Sequence, residues 1–255
     1  MSNPFSLTNR VALITGASIG LGREIAGIYA DRGARLVLVA RRRELLERAA
    51  LELQKKTEVL AIVADVSADA ESIAEQALDR FGHVDVLVNN ASTLGSSPMP
   101  SLEELSWREL EEILRVNVVA PLHLTQLLLP AMREQRQGVI INVSSDAGVN
   151  AYPGWGGYGT SKAALEHLSR ILAVETSGSG IRVYVVDPGD MNTEMHRDAE
   201  PGVDLSHLPG PELAAPAFVR LVENETRQFA RVEAQKLIAL RSELGREPVR
   251  SGAAI

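Results

Sequence analysis

The chain has 255 residues and no cysteine, which excludes disulfide bonds and thiolate metal sites. Its five histidines lack the spacing of metal ligands, and no metal site is predicted. No apolar run reaches about 18 residues, and residues 1–9 lack the basic and then apolar order of a signal peptide. We therefore expect a cytoplasmic protein with no membrane partner.

A concentration of positive charge is also missing. The formal net charge is −7, and no stretch is more basic than Arg41, Arg42 and Arg43. This balance argues against nucleic acid as a main partner. Hydrophobic residues make up 45% of the chain and charged residues 23%, which is typical of a globular protein with an ample core.

Short apolar runs recur along the chain, with amphipathic helical segments between them. The runs are Val11–Ile14, Leu36–Ala40, Val59–Ala64, Val84–Val88, Val139–Val143 and Ile181–Val186. They are rich in β-branched residues and nearly unbroken, as strands buried on both faces must be. The alternation predicts an α/β fold: a doubly wound (Rossmann) parallel sheet of six or seven strands with helices on both faces. We assign residues 1–240 to this single domain.

Three segments depart from the alternation. Residues 92–101 have the composition of a loop. Residues 191–211 contain three prolines and little periodicity, and we interpret them as a mobile flap over a substrate site. Residues 241–255 are polar and are predicted to be a tail that frays.

The segment from Trp107 to Gln135 predicts one long helix that contains Pro121. Proline has no N–H to donate to the carbonyl of Asn117, four residues earlier. Two interpretations stay open at this point. The proline produces a simple kink, or it frees the Asn117 carbonyl for a water-binding site.

A glycine-rich turn follows the first predicted strand, with Gly16, Gly20 and Gly22 around Ser18 and Ile19. Glycine lets the backbone turn sharply and approach a ligand, and the helix that follows offers free N–H groups and a positive dipole end. The spacing is neither that of a Walker loop nor Gly-x-Gly-x-x-Gly. At the start of an α/β chain it favours a dinucleotide phosphate site over a structural turn.

The end of the second predicted strand indicates which nicotinamide cofactor fits. An acidic residue there would hold the ribose hydroxyls of NAD, but no carboxylate occurs before Glu44. Arg41 follows the strand instead, and arginine binds phosphate through its planar fork. We therefore predict NADP(H), with Arg41 carrying the preference because position 19 is Ile. The alternative is that Arg41 binds no phosphate and merely belongs to a basic first helical turn at the surface.

Tyr158 and Lys162 are four residues apart and share a face of a predicted helix. To exchange a proton at neutral pH, the phenol pKa must fall by roughly three from about 10, equivalent to about 4 kcal/mol. A neighbouring ammonium and an oxidised nicotinamide ring both act in that direction. Such a pair can also lie on a solvated helix face, so the other motifs of the chain decide the interpretation.

Together these motifs resemble the compact short-chain dehydrogenase/reductase family, over residues 8–225. The matching residues are Thr15–Gly22, Asp65, Val66, Asn89, Asn90, Ala91, Asn117, Ser144, Ser145, Tyr158, Lys162, Pro188, Gly189 and Thr193. The resemblance implies that Tyr158 is the general acid/base, Lys162 binds the nicotinamide ribose, Ser145 binds the carbonyl oxygen, and Asn117 holds a relay water. For the cofactor it implies contacts from Asp65, Val66, Asn90, Ala91, Pro188, Gly189, Met191 and Thr193.

The chain departs from the family pattern at two places. Ser92 replaces the usual glycine after Asn89-Asn90-Ala91. The usual C-terminal Thr-Gly and Asp-Gly-Gly residues are missing, although a last strand is expected at Gln228–Val232. The family implies a homodimer or homotetramer, but the tetramer contacts built at that terminus cannot be assumed.

The leading hypothesis is an NADP(H)-dependent carbonyl reductase, reversible as an alcohol dehydrogenase, acting on a small hydrophobic ketone or aldehyde. A β-ketoacyl thioester reductase is an alternative, and a non-catalytic dinucleotide-binding regulator on the same fold is a third. The predicted substrate pocket comprises Thr93, Leu94, Asp146, Val149, Tyr152, Trp155, Met191, Met195 and His196.

Overall fold

Seven parallel strands form the centre of the computed structural model, which describes residues 5–238. In chain order they are β1 (Val11–Thr15), β2 (Arg35–Ala40), β3 (Val59–Val63), β4 (Val86–Asn89), β5 (Gly138–Val143), β6 (Ile181–Asp187) and β7 (Phe229–Glu233). Their order across the sheet is β3-β2-β1-β4-β5-β6-β7. The predicted doubly wound parallel sheet is confirmed, and the strand expected at residues 228–232 is its seventh member.

The order of the strands determines where a ligand can enter. The chain builds outward from β1 to β2 and β3, then returns to place β4 on the other side of β1. Ala12 of β1 aligns with Val86 of β4, and Val11 aligns with Arg35 of β2. Helices that follow β1 and β4 leave in opposite directions, so a crevice opens at the carboxyl ends of these two strands.

Helices cover both faces of the sheet. They are α1 (Gly20–Asp31), α2 (Arg43–Leu53), α3 (Ala70–Phe81), α4 (Trp107–Leu114), α5 (Ala120–Gln135), α6 (Gly156–Glu175), α7 (Glu194–Ala199) and α8 (Ala215–Glu223). One core joins the sheet to α1, α2 and α8, with Tyr29 and Phe218 fully buried. The other joins it to α3, α5 and α6 around Ile73, Leu124 and Leu128.

The segment predicted as one helix from Trp107 to Gln135 is interrupted. Between α4 and α5, residues Arg115–Val119 form a π-helical turn, and Pro121 lies just after it at the start of α5. Among the described residues this helical run has the length and apolar composition of a membrane span. Its apolar residues Leu124 and Leu128 are buried against the sheet and α3, which accounts for that composition.

Residues 92–101 contain no helix or strand, as predicted. The segment 191–211 is more regular than predicted, because it contains α7 and leads into a 3₁₀ turn, Pro211–Leu213. Thr193 caps α7 by accepting the His196 N–H at 3.3 Å. Six residues are too few to show helical periodicity, which explains the miss. The predicted tail, residues 241–255, lies outside the described residues.

Candidate active site

A cleft of about 530 Å³ lies along the carboxyl edge of the sheet, over β1 and β4. It brings together most of the residues that the sequence singles out. They are Gly16, Ser18, Ile19, Gly20, Arg41, Asp65, Val66, Asn90, Ala91, Ser145, Tyr158, Lys162, Pro188, Gly189, Met191 and Thr193. Gly22 and Asn117 do not line the cleft but support its walls.

The glycine turn is tied to the end of β4. The Thr15 hydroxyl oxygen accepts the N–H groups of Asn90 and Ala91, both at 3.0 Å, and the Asn90 amide donates to the Thr15 carbonyl at 2.8 Å. Gly16 has φ +66°, and a Cβ there would lie 2.7 Å from the Asn90 amide nitrogen. Only glycine fits this position.

Gly20 is different, because a Cβ there would meet one atom, Thr193 Cγ2, at 3.9 Å. Its backbone therefore borders open space in the cleft at the N-terminus of α1. Free N–H groups next to an open cradle suit a dinucleotide phosphate, so the residues present fit that group. Gly22 packs inward instead, where a Cβ would lie 2.5 Å from the Gly16 carbonyl oxygen.

Two arginines line the cleft after β2. Arg41 is 70% exposed, and its guanidinium lies 3.6 Å from the Asp65 carboxylate. Arg42 pairs with Glu194 of α7 at 2.6 Å. The sequence interpretation named Arg41 and did not find the Arg42–Glu194 pair, since 152 residues separate its members.

Asp65 lines the cleft beside Arg41. Partial burial acts to raise the pKa of this carboxyl, but the Ser67 N–H, the Ser67 hydroxyl and Arg41 lower it on balance. The Ser67 hydroxyl and N–H donate to the same carboxylate oxygen at 2.7 and 2.9 Å. The carboxylate is thus ionised and held in place beside Arg41.

Tyr158 and Lys162 share one face of α6, as predicted, and the Lys162 ammonium lies 5.3 Å from the centre of the Tyr158 ring. It donates to the Val143 carbonyl at 2.8 Å. Burial lowers the pKa of Lys162 to about 7.

The predicted lowering of the Tyr158 pKa is not what the protein's own groups produce. Burial raises the pKa of this phenol well above its ordinary value, and the charge of Asp187 raises it further. A hydrogen bond with Ser145 opposes the rise in part. The reason is that Tyr158 is only 8% exposed, so its phenolate would lose most of its hydration.

Ser145 and Ser144 have different surroundings. The Ser145 hydroxyl accepts the Ala147 N–H at 3.2 Å and donates to the Asp146 carboxylate at 3.1 Å, at the mouth of the cleft. The Ser144 hydroxyl is buried and donates to Glu166 at 2.7 Å. The Ser144 hydroxyl is therefore engaged in the core, whereas Ser145 presents its hydroxyl to the cleft.

Asn117 occupies the π-turn, and its side chain is fully used. Its amide nitrogen donates to the Thr93 carbonyl and the Ser161 hydroxyl, at 2.8 and 2.9 Å. Its oxygen accepts from the Ser92 hydroxyl and the Thr93 N–H, at 3.1 and 2.8 Å. This residue ties the loop after β4 to α6, so a relay water could meet only its backbone carbonyl.

Seven of the residues predicted to form a substrate pocket line the cleft: Thr93, Leu94, Asp146, Trp155, Met191, Met195 and His196. Two predicted members are misplaced, because Val149 and Tyr152 do not line the cleft and are 64% and 43% exposed. The Tyr152 hydroxyl donates to Asp146, a residue of the cleft lining, at 2.6 Å. The lining also includes Ser97, Asp187, Asp190 and Asp198, which carried no motif in the sequence.

Comparisons with known proteins match most of the chain. The family described as short chain dehydrogenase matches residues 10–204. The 2-(R)-hydroxypropyl-CoM dehydrogenase of Xanthobacter autotrophicus is 34% identical over 229 residues, 88% of each chain. A rhamnolipid biosynthesis 3-oxoacyl-[acyl-carrier-protein] reductase of Pseudomonas aeruginosa is 36% identical over 200 residues, 76% of this chain and 77% of that one.

Solved structures are similar over nearly the whole chain. A putative short chain dehydrogenase from Pseudomonas syringae superposes with a TM-score of 0.84 at 30% identity, covering 92% of this chain and 98% of that one. L-sorbose reductase from Gluconobacter frateurii, in complex with NADPH and L-sorbose, gives 0.79 at 30% identity, covering 91% and 97%. An NAD⁺-bound xylitol dehydrogenase, 23% identical over 89% and 98% with a TM-score of 0.78, shares the fold.

The π-turn yields a prediction about Pro121. Replacing Pro121 by Ala supplies an N–H that can bond to the Asn117 carbonyl, and alanine is up to about 3 kcal/mol better than proline inside a helix. We expect Pro121→Ala to unfold at the same or a higher temperature, with slower amide exchange over residues 115–121. Pro130→Ala, farther along α5, is the matched control. Destabilisation by Pro121→Ala would mean that the proline itself holds the π-turn.

Proposed function

The chain belongs to the short chain dehydrogenase family of oxidoreductases, and we propose that it transfers hydride between NADP(H) and a small carbonyl compound or secondary alcohol. A hydrophobic ketone or aldehyde is the proposed substrate class. The observation that carries the proposal is the meeting of Ser145, Tyr158 and Lys162 at one end of a cleft whose other end holds the glycine turn and Arg41.

NADP(H), when bound, would supply or accept the hydride. The chain's own residues would handle the proton. Because its raised pKa keeps the Tyr158 phenol protonated at neutral pH, this side chain is in the form that donates a proton to a carbonyl oxygen. The Ser145 hydroxyl would bind the same oxygen, and Lys162, with a pKa of about 7, can exchange a proton near neutrality.

The proton of Lys162 needs a route to solvent. The Asn117 side chain is occupied by four protein groups, so the proposed route passes the backbone carbonyl at residue 117, which Pro121 cannot engage.

On this proton route, Pro121→Ala should also slow the proton-transfer step and distort the limb of the pH–rate profile that depends on Tyr158. An unchanged rate and profile would reduce Pro121 to a tolerated irregularity.

Preference for NADP(H) rests on charge at the end of β2. Arg41 is exposed at the cleft and no carboxylate belongs to the strand end itself. Arg42 is already paired with Glu194, which leaves Arg41 as the freer partner for a 2′-phosphate. The NADPH complex of the related sorbose reductase supports this choice, whereas the NAD⁺-bound neighbour shows that the fold accepts both cofactors.

A β-ketoacyl thioester reductase is the second candidate, because one relative bears that name. The substrate end argues against an acidic carrier protein. The described lining of the cleft includes the carboxylates of Asp146, Asp187, Asp190 and Asp198, which would repel an acidic partner. The proposal is tested by measuring NADPH oxidation with a panel of ketones, aldehydes, β-ketoesters, quinones and acyl thioesters. Turnover of thioesters alone would favour the second candidate.

We predict that Tyr158→Phe binds NADPH normally but loses turnover by roughly 100-fold or more, the usual contribution of a positioned general acid. The substitution removes the phenol oxygen and leaves the ring packed against Trp155, with ring centres 5.9 Å apart. Fluorescence titration with NADPH and steady-state kinetics give the two readouts. If Tyr158→Phe retains a substantial kcat, another group is the acid. If the wild-type protein binds NADPH but turns over no substrate, the result favours the non-catalytic regulator.

Arg41→Asp should exchange a phosphate partner for a carboxylate that repels it. Hydrogen bonds to charged groups contribute about 1.5–3 kcal/mol, so the kcat/KM ratio for NADPH over NADH should fall by at least about tenfold. Arg43→Asp is the matched control: Arg43 is 67% exposed, pairs with Glu47 and lies outside the cleft lining. Equal effects of the two substitutions, or no effect of Arg41→Asp, would place the phosphate site elsewhere.

A further inference from the structure

Two buried carboxylates lie beside the active site and take no part in the proposed chemistry. Glu166 is 4% exposed and follows Lys162 by one turn of α6. Asp187 is 5% exposed and ends β6 directly before Pro188. Buried carboxylates are costly unless a cation and hydrogen bonds compensate them. The compensation must therefore be found among their neighbours.

Arg231 is the cation that faces both. Its Nε lies 3.0 Å from each oxygen of Glu166, and its Nη2 lies 3.7 Å from the Asp187 carboxylate. Arg231 belongs to β7, where it aligns with Val185 of β6, and its side chain is 22% exposed. Arg231 of the last strand thus contacts both α6, which carries Lys162, and the end of β6, which directly precedes Pro188.

The same cluster reaches the catalytic serine. The Ser144 hydroxyl donates to Glu166 at 2.7 Å, and Ser144 precedes Ser145 at the end of β5. Gly189 N–H donates to Asp187 at 3.0 Å. Arg170 also faces Glu166, at 3.8 Å, but it is 54% exposed and does not face Asp187.

The charges around Tyr158 explain why this cluster matters. Burial raises the pKa of Tyr158, and the charges of Asp187 and then Asp146 add to it, while Lys162 lies over the ring. Asp187 is itself surrounded by Arg231, Asp146 and Glu233. Burial raises the pKa of Asp187 on balance, and the Gly189 N–H and then Arg231, the one cation among these charges, oppose the rise. An Asp187 charge without its arginine would oppose the Tyr158 phenolate more strongly.

We propose that Arg231 is a positioning residue of the active site, which offsets the charge of Asp187 at Tyr158 and fixes α6 to β5 through Glu166 and Ser144. The proposal rests on the proposed role of Tyr158. It assigns a function to β7, the part of the chain where the residues usual in the family are missing.

The test follows Tyr158 directly and needs no substrate. The chain has four tyrosines, so labelling with tyrosine carrying ¹³C at the phenol carbon gives four resolvable NMR signals, and Tyr158→Phe assigns one of them. The signal is titrated with pH in the complex with NADP⁺, or with NAD⁺ if only that binds. Arg231→Met should raise the pKa of Tyr158 by roughly 0.5 to 1, and Asp187→Asn should lower it by a similar amount.

Three further variants separate electrostatics from packing. Arg231→Lys retains the charge and should restore most of the titration, while Arg170→Met, the matched control, should leave it unchanged. In the double variant Asp187→Asn/Arg231→Met the two opposite shifts should cancel, so the pKa of Tyr158 should return close to the wild-type value. A double variant that keeps the full shift of Arg231→Met, or no shift from Arg231→Met despite a lower melting temperature, overturns the proposal.

Should Arg231→Met not fold, Asp187→Asn and Arg231→Lys carry the test. An unmoved Tyr158 signal in Asp187→Asn then overturns the inference. Failure of the proposed function is a separate result: it appears as normal turnover by Tyr158→Phe, whatever the titration shows.

Discussion

The joint between β1 and β4 is the contact on which the rest of the site depends. Thr15 is 2% exposed, and its single hydroxyl accepts two N–H groups, those of Asn90 and Ala91, while it donates to the Val88 carbonyl at 3.3 Å. These bonds satisfy backbone groups at the point where the two strands would otherwise diverge. They also place the glycine turn opposite Ala91. The cleft exists because this joint holds its two walls at a fixed separation.

Burial then decides the charge states within the cleft. Tyr158, Lys162, Glu166 and Asp187 are all nearly inaccessible to solvent. Desolvation favours the neutral forms of the phenol and the ammonium, so the first remains an acid and the second titrates near neutrality. Carboxylates placed so deeply must be paired, and the pairing comes from β7. Stability of the last strand and the chemistry of the tyrosine are thus connected through Arg231.

Local patterns predicted most of the fold and named most of the residues that the structure brings together in the cleft. Apolar runs rich in β-branched residues marked the first six strands, whereas β7 was expected only from the family resemblance. β4 begins two residues later than predicted, since Asp85 is fully buried and accepts the Val11 N–H instead of extending the strand. The π-turn was missed for a local reason. Pro121 shows that one hydrogen bond of the helix is missing, but it does not show that an extra residue is inserted into the preceding turn. The Arg231 cluster was missed for another reason. Its partners lie up to 65 residues apart and have no motif, so only the folded sheet brings them together.

The charges that line the cleft are of both signs. Arg41 and Arg42 each lie beside a carboxylate of the lining, Asp65 at 3.6 Å and Glu194 at 2.6 Å. Arg41 makes the longer contact and is 70% exposed, so it is the arginine that can take up a further anion at the lower cost. With a pKa of about 7, Lys162 is only partly charged at neutral pH. The lining also includes the carboxylates of Asp146, Asp187, Asp190 and Asp198, and under the proposed function these negative charges disfavour an anionic substrate and favour a neutral carbonyl compound.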